Sequence, residues 1–131
     1  MRVLGVDYGL RKVGLAMGES VLRLASPLEV WENKEEETMA KDLARFAEAE
    51  GVELIVVGMP RKASGEITQQ GKRHEAFVSR LRSFTPIPIV TVDESFTSKE
   101  SRRLQEETGS DVPEDALSAM LILEEYFETL V

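Results

Sequence analysis

The 131-residue sequence contains no cysteine and only one histidine, His74. Without cysteine, the chain can form neither disulfides nor thiolate metal sites, and it has no cysteine nucleophile. A single histidine also excludes a zinc site built on several histidines. Any metal site formed by this sequence must therefore be built from oxygen ligands.

Long apolar runs are also missing. The longest, around residues 116–123, is interrupted by Ser118 and is far shorter than the roughly 18 residues of a membrane span. Arg2 places a charge too early for the apolar core of a signal peptide. Hydrophobic residues make up 42% and charged residues 31%, which is typical of a globular protein. We expect one domain over residues 1–131, in the cytoplasm, with no membrane partner.

Positive charge is scarce overall but unevenly distributed. The net charge of -8 would argue against a nucleic-acid partner, because phosphate binding needs cations. The acids are concentrated in residues 32–60 and 104–131, whereas residues 61–82 carry six Lys and Arg against two Glu. A solvated basic face is the simpler interpretation of that segment, but the net charge alone does not rule out an anionic substrate.

Hydrophobic patterning predicts three strands followed by helices that alternate with strands. Pro27, in the middle of the third strand, indicates an edge strand or a bulge. The predicted strands are Arg2–Tyr8, Val13–Met17, Leu22–Trp31, Val52–Val57 and Ile87–Val92, and the helices lie around Met39–Glu50 and Phe77–Phe84, after Thr97, and from Pro113 in its first turn. This order predicts an α/β fold whose mixed five-stranded sheet has an antiparallel meander and is flanked by helices.

Acidic residues follow the predicted parallel strands. Asp7 ends the first strand, Asp93 and Glu94 follow the last one, and Asp115 lies in the first turn of the final helix. Ligands of open α/β sheets gather at the carboxyl ends of the strands, so three carboxylates there could form an oxygen-only site for Mg²⁺ or Mn²⁺. Two such ions could support phosphodiester cleavage. Turn-forming acids and helix first-turn acids explain the same pattern, and spacing alone leaves both interpretations open.

Two basic segments accompany these acids. The loop from Gly58 to Gly65 contains Arg61 and Lys62, which could contact phosphates, although an ordinary turn fits equally well. The second helix carries basic residues that are more simply a solvated face, and we expect His74 on the same helix to be solvated. These four basic residues are Lys72, Arg73, Arg80 and Arg82.

Four segments together resemble one family. Residues 6–16 resemble the opening D-x-G-x-x-R/K-x-G-x-A motif of the YqgF/RuvX family. Residues 55–60 are similar to its VVG-x-P loop, and residues 92–98 to its D-E-R-x-T-T/S segment. Residues 115–123 resemble its closing D-x-x-A-A-x-x-I-L helix. Each motif is weak alone, but the four occur in order along essentially the whole chain.

The resemblance implies an RNase H-like fold and a small bacterial nuclease. Members are assigned to maturation of the 5′ end of 16S rRNA, and earlier to Holliday-junction resolution. By the resemblance, the catalytic and metal-binding acids are Asp7, Glu94 and Asp115, with Mg²⁺ or Mn²⁺ as cofactor. Glu94 is preferred over Asp93 because the family motif places its glutamate in the site.

One departure from the family motifs affects substrate binding. Ser95 stands where the D-E-R segment has arginine, so one cation that could pair with phosphate is missing. We expect substrate contacts from the remaining nearby cations. These are Arg11, Lys12, Arg61, Lys62 and Lys99.

Three functions stay open at this level. The first is an endonuclease acting on structured RNA; the second is a resolvase of branched DNA that uses the same acids. A resolvase needs two symmetric sites and hence a two-fold dimer, whereas the sequence shows no clear dimer surface and predicts a monomer or weak homodimer. The third is an RNA-binding factor of ribosome assembly or transcription with little or no catalysis, which Ser95 and the net negative charge keep open.

Overall fold

The computed structural model describes residues 1–60, 68–94, 106–107 and 111–130. Within these residues, five strands and three long helices follow one another in the predicted order. They are β1 (Arg2–Tyr8), β2 (Lys12–Glu19), β3 (Leu24–Glu32), α1 (Glu36–Ala49), β4 (Leu54–Met59), α2 (Gln69–Phe84), β5 (Ile89–Asp93) and α3 (Glu114–Glu128). The helix predicted after Thr97 lies outside the described residues.

The strands form one mixed sheet in the order β3-β2-β1-β4-β5. The first three strands pair antiparallel as a meander. On the other side of β1, β4 pairs in parallel with β1, and β5 pairs in parallel with β4. The carboxyl ends of β1, β4 and β5 therefore lie along the same edge of the sheet. The mixed five-stranded architecture predicted from the sequence is confirmed.

Alternate residues of each strand divide the core into two layers. On one face, Val6 and Val57 pack with Leu43 of α1 and Phe77 of α2. On the opposite face, a second cluster includes Val3, Val56 and the apolar side of α3, with Leu117, Ile122 and Leu123 fully buried. Because side chains alternate along a strand, Asp7 shares the α3 face with Val3 and Gly5.

Local backbone geometry explains where two predicted boundaries differ from the structure. The third strand begins at Leu24 rather than Leu22, because Arg23 adopts a positive φ of 52° in the turn before it. Pro27 does lie in an edge strand, and the register shifts between its partner Ala16 and Leu15, so both expectations about it are confirmed. At the last helix, Pro113 is the extended N-cap residue rather than part of the first turn.

The expectation that His74 is solvated is wrong. Its side chain is 2% exposed, and its ring makes an edge contact with Tyr8 at 5.4 Å between centroids. Nδ1 lies 2.8 Å from the carbonyl oxygen of Gln70, which satisfies one ring nitrogen inside α2. Burial lowers the pKa of His74. The prediction failed because the residues next to His74 in the sequence are charged, although His74 itself faces the core.

Within the described residues, no helix is long and apolar enough to cross a membrane.

Candidate active site

Two carboxyl groups lie side by side at the sheet edge where the parallel strands end. Asp7 is the penultimate residue of β1, and Glu94 directly follows β5. The backbone N–H of Glu94 donates a 3.0 Å hydrogen bond to the carbonyl of Met59, which fixes this residue beside the end of β4. The side chains of Asp7 and Glu94 are hydrogen-bonded to each other.

Burial and like charge both act on this pair. Burial, the negative charge of Glu94 and the hydrogen bond with Glu94 raise the pKa of Asp7 to about 8, and the charge of Asp115 adds to the shift. Burial also raises the pKa of Glu94, as does the charge of Glu125, while the hydrogen bond from Asp7 opposes the rise. The directions of these two sets of pKa effects indicate that the Asp7 carboxyl is protonated and donates a hydrogen bond to the Glu94 carboxylate.

A glycine on β2 brings Asp115 to this pair. Gly14 is directly opposite Asp7 in the β1–β2 register. A Cβ at position 14 would overlap the carbonyl oxygen of Asp115, so the first turn of α3 rests on the bare backbone there. The absence of a side chain at Gly14 thus allows the start of α3 to lie over the end of β1, close enough for Asp115 to affect the pKa of Asp7.

A second glycine provides the space that the Glu94 side chain occupies. A Cβ at Gly58 would lie 2.6 Å from Oε1 of Glu94 and 2.5 Å from Cδ1 of Ile122 on α3. The side chains of Glu94 and Ile122 would therefore have to shift to admit a Cβ at this position. From the sequence alone, Gly14 falls within a predicted strand and Gly58 begins a predicted loop, so their roles in bringing the acids together are not apparent. Each glycine lies in a segment that resembles a family motif, residues 6–16 for Gly14 and residues 55–60 for Gly58. That position was the signal that could have revealed their roles.

The structure shows a preformed pair rather than a complete metal-ligand cluster. In the part of the chain that is described, no three His, Asp or Glu side chains converge in a geometry that holds a metal ion. The donor chemistry nevertheless suits a hard divalent cation, because the acids are like-charged oxygen donors that are only partly exposed to water. Such a cation would relieve the repulsion that raises the pKa of Asp7.

The predicted substrate-binding cations fall into two groups. Arg11, on the turn between β1 and β2, and Lys12, the first residue of β2, are exposed at the same sheet edge as Asp7. The other three, Arg61, Lys62 and Lys99, lie outside the described residues, as does Ser95. On α2, Arg80 binds Glu36 at 2.9 Å and Arg82 donates to the carbonyl of Ile89 at 3.1 Å. These two arginines therefore have structural partners.

Comparison with known proteins places this chain in a family. The family model described as "RuvX: Holliday junction resolvase" matches residues 1–129. A protein of Desulforudis audaxviator named "Putative pre-16S rRNA nuclease" is 32% identical over 136 residues, covering 98% of this chain and 95% of that protein. A protein of Dictyoglomus turgidum with the same name is 31% identical, covering 99% and 96%.

Solved structures support the fold. The Fowlpox virus resolvase bound to Holliday junction DNA has a TM-score of 0.66 at 10% identity, covering 100% of this chain and 99% of that one. Thermus thermophilus RuvC with its Holliday junction substrate has a TM-score of 0.61 at 12% identity, covering 97% and 93%. The predicted RNase H-like fold is confirmed by these likenesses. With its family-model match over residues 1–129, this chain belongs to the RuvX family.

Proposed function

We propose that this protein is a metal-dependent endonuclease that hydrolyses phosphodiester bonds, with the 5′ end of precursor 16S rRNA as its substrate. The observation that carries the proposal is the half-buried pair of Asp7 and Glu94 at the carboxyl ends of β1 and β5, with the first turn of α3 resting beside it. Membership of the RuvX family and the names of the relatives in two bacteria support nuclease chemistry.

Three acids would hold the metal in this proposal. Asp7, Glu94 and Asp115 would together supply the carboxylate oxygens that hold Mg²⁺ or Mn²⁺. When bound, the ions would offset the negative charge that develops on the attacking and leaving oxygens. Because Asp7 shares a proton with Glu94 in the described structure, this carboxyl must lose that proton before it can act as a ligand.

The cations of the β1–β2 turn would position the substrate. Arg11 and Lys12 are exposed and follow Asp7 closely in the chain, so they can contact phosphates that flank the scissile bond. Contacts from Arg61, Lys62 and Lys99 remain predictions from the sequence. Positioning of this kind matters because in-line attack requires the phosphate to be held in one orientation.

A Holliday junction resolvase is the second candidate, favoured by the description of the matching family model. It would use the same three acids but needs a two-fold dimer with two sites, so a molecular mass measured in solution distinguishes it from a monomeric ribonuclease. A weakly catalytic or non-catalytic RNA-binding factor is the third. It predicts nucleic-acid binding that persists when Asp7 is changed.

The test is a side-by-side cleavage assay. A precursor 16S rRNA 5′ leader and a four-way DNA junction are each incubated with Mn²⁺, Mg²⁺ or EDTA, using wild-type protein, Asp7→Asn and Asp42→Asn. Asp42 is an exposed acid of α1 and serves as the matched control. We expect metal-dependent cleavage of the leader that Asp7→Asn abolishes and Asp42→Asn retains.

Each other outcome selects a different function. Metal-dependent cleavage of the junction alone would replace the ribonuclease with the resolvase. Binding without cleavage, equal in wild type and Asp7→Asn, would overturn the enzymatic proposal and leave an RNA-binding factor with a nuclease fold.

A further inference from the structure

The turn between β2 and β3 presents aliphatic side chains to water. Val21 is 80% exposed and Leu22 is 67% exposed, and Leu24, the first residue of β3, is 63% exposed. A single exposed leucine is ordinary on a protein surface, but three aliphatic side chains on one turn form a contiguous patch. We call Val21, Leu22 and Leu24 the hairpin patch. Patches of this kind mark contact surfaces.

Polar contacts hold this turn in one shape. The backbone N–H of Leu22 donates a 2.7 Å hydrogen bond to Oε2 of Glu19, at the end of β2. Arg23 adopts a positive φ of 52°, a conformation that residues with a side chain disfavour. Its guanidinium donates a 3.0 Å hydrogen bond to the carbonyl of Leu130, beyond α3. A side chain presented from a turn fixed in this way loses little conformational freedom when it binds.

A groove of about 540 Å³ opens directly beside the hairpin patch. Ala25 packs against the α3 layer, so its neighbours in β3 point to the opposite face, which α1 and α2 cover elsewhere. There α1 reaches β3 through Phe46, whose ring meets that of Trp31 at 5.1 Å between centroids, near the other end of the strand. The beginning of β3 therefore borders an open groove that aliphatic side chains can fill. Its lining includes Met17, Leu24 and Ser26.

The acids beside the patch are offset by cations. The chain carries a net charge of -8, so two copies repel each other over most of their surface. Next to the patch, Glu19 lies opposite Arg2 in the β1–β2 register and pairs with the ammonium group of Met1 at 2.6 Å. The backbone N–H of Arg2 also donates to Oε1 of Glu53 at 3.1 Å. A two-fold contact brings each charge near its own copy, so it is favoured where both signs are present.

The edge of β3 is poorly suited to pairing with a further strand. Pro27 has no backbone N–H to donate, and the register with β2 shifts between Leu15 and Ala16. A proline and an irregular register are features that protect edge strands from strand addition. A partner at this end of the sheet therefore binds through side chains, at the hairpin patch and the groove.

We propose that a second copy of this chain covers the hairpin patch, with the turn of each copy inserted in the groove of its partner. The turn and the groove lie side by side and share Leu24, so a two-fold axis near this residue satisfies both at once. The patch exposes roughly 350 Å² per chain, and burying patch and groove in both copies covers on the order of 1,000 Å². This area is at the low end for a specific interface, so we expect a weak dimer with a Kd on the order of 10–100 μM.

This dimer leaves the candidate active site open. The turn follows the carboxyl end of β2, which pairs antiparallel with β1, so the patch lies at the amino end of β1 and Asp7 near the carboxyl end. The length of a seven-residue strand, roughly 20 Å, separates them. Both active sites therefore face away from the contact. The inference goes beyond the proposed function and does not depend on it, and a change in the patch should leave cleavage of the leader unchanged.

Sedimentation equilibrium between about 5 and 500 μM measures the dimer directly. The mass of the wild-type protein should rise from one chain to two across this range. Leu22→Glu should raise the Kd at least about tenfold, because it forces a carboxylate into the groove of the partner. The matched control is Leu10→Glu, which adds the same charge at a leucine that is 70% exposed on the β1–β2 turn, at the opposite end of the sheet. This control should dimerise like wild type.

Cross-linking then tests which surfaces meet, and the absence of native cysteine makes the result specific. Leu22→Cys protein is mixed with Ser26→Cys protein and treated with a short bifunctional maleimide, and mass spectrometry identifies the product that contains both variants. We expect this mixed product, and only background when Leu10→Cys replaces Leu22→Cys.

The inference and the proposed function can fail separately. Wild-type protein that stays a single chain at about 500 μM would overturn the dimer and leave the patch to a different protein. Equal loss of dimer in Leu22→Glu and Leu10→Glu, or equal cross-linking in both mixtures, would contradict the arrangement of turn and groove. A dimer that cleaves neither nucleic acid would support the inference and overturn only the nuclease.

Discussion

Asp7 should destabilise the folded protein when no metal is bound, and its replacement by asparagine should therefore stabilise it. The folded-state pKa of Asp7 is raised from 3.8 to about 8 because the carboxyl is buried and lies beside Glu94. Between these two values the folded state holds a proton that the unfolded state has released, so the free energy of unfolding falls as pH rises. The loss of folding stability caused by Asp7 grows from about pH 4 and levels off above about pH 8.

The size of the effect follows from the pKa shift. At about 1.36 kcal/mol per unit, the full shift corresponds to roughly 5 kcal/mol. Replacing Asp7 by asparagine recovers only part of this free energy, because the asparagine side chain must also be buried. Its amide can, however, donate a hydrogen bond to Glu94. We expect Asp7→Asn to raise the free energy of unfolding by about 2–4 kcal/mol at pH 8 in EDTA, and by little at pH 4.

Urea unfolding at pH 4, 6 and 8 measures this directly, with Asp42→Asn as the control for removing an exposed acid. Added Mg²⁺ or Mn²⁺ should narrow the difference at pH 8, because a ligand that binds only the folded wild type stabilises it. An Asp7→Asn protein that is no more stable than wild type at pH 8 in EDTA would refute the reasoning about the buried pair.

Two further predictions concern how α3 meets the sheet. Gly14→Ala would drive a Cβ into the carbonyl oxygen of Asp115, so urea unfolding should show a loss of about 3 kcal/mol, and cleavage should fall as the start of α3 shifts. Gly51→Ala, at a φ of 70° with open space around it, should cost only about 1 kcal/mol and leave cleavage intact. Asp115→Asn should reduce cleavage by at least about a hundredfold, while Glu114→Gln in the same first turn should leave it unchanged. Equal effects of the two changes would mean that Asp115 acts only through the helix dipole.

Much of the fold and the position of the acids could be predicted because both depend on local patterns. Apolar alternation identified β1, and a continuous apolar run identified β4. The rule that ligands gather at strand carboxyl ends points to Asp7 and to Asp93 or Glu94, and the family resemblance selects Glu94. Pro27 marks the edge strand because proline has no backbone N–H to donate to a sheet ladder.

What could not be predicted depends on contacts between distant segments. The burial of His74 depends on Tyr8, 66 positions earlier in the chain, and the charged residues beside it in α2 gave no sign of it. The role of Gly14 depends on the backbone of Asp115, which meets it only after α3 packs across the sheet.

The most direct test of the central claim is the single-turnover rate of metal-dependent cleavage in four variants. These are Asp7→Asn, Glu94→Gln, the double variant, and Asp93→Asn as the adjacent-acid control. If Asp7 and Glu94 act as one unit, each single change should abolish most of the rate and the double variant should be little slower than either, whereas Asp93→Asn should cleave at close to the wild-type rate. Near-normal cleavage by Glu94→Gln, or a loss in Asp93→Asn as large as in Glu94→Gln, would contradict the account.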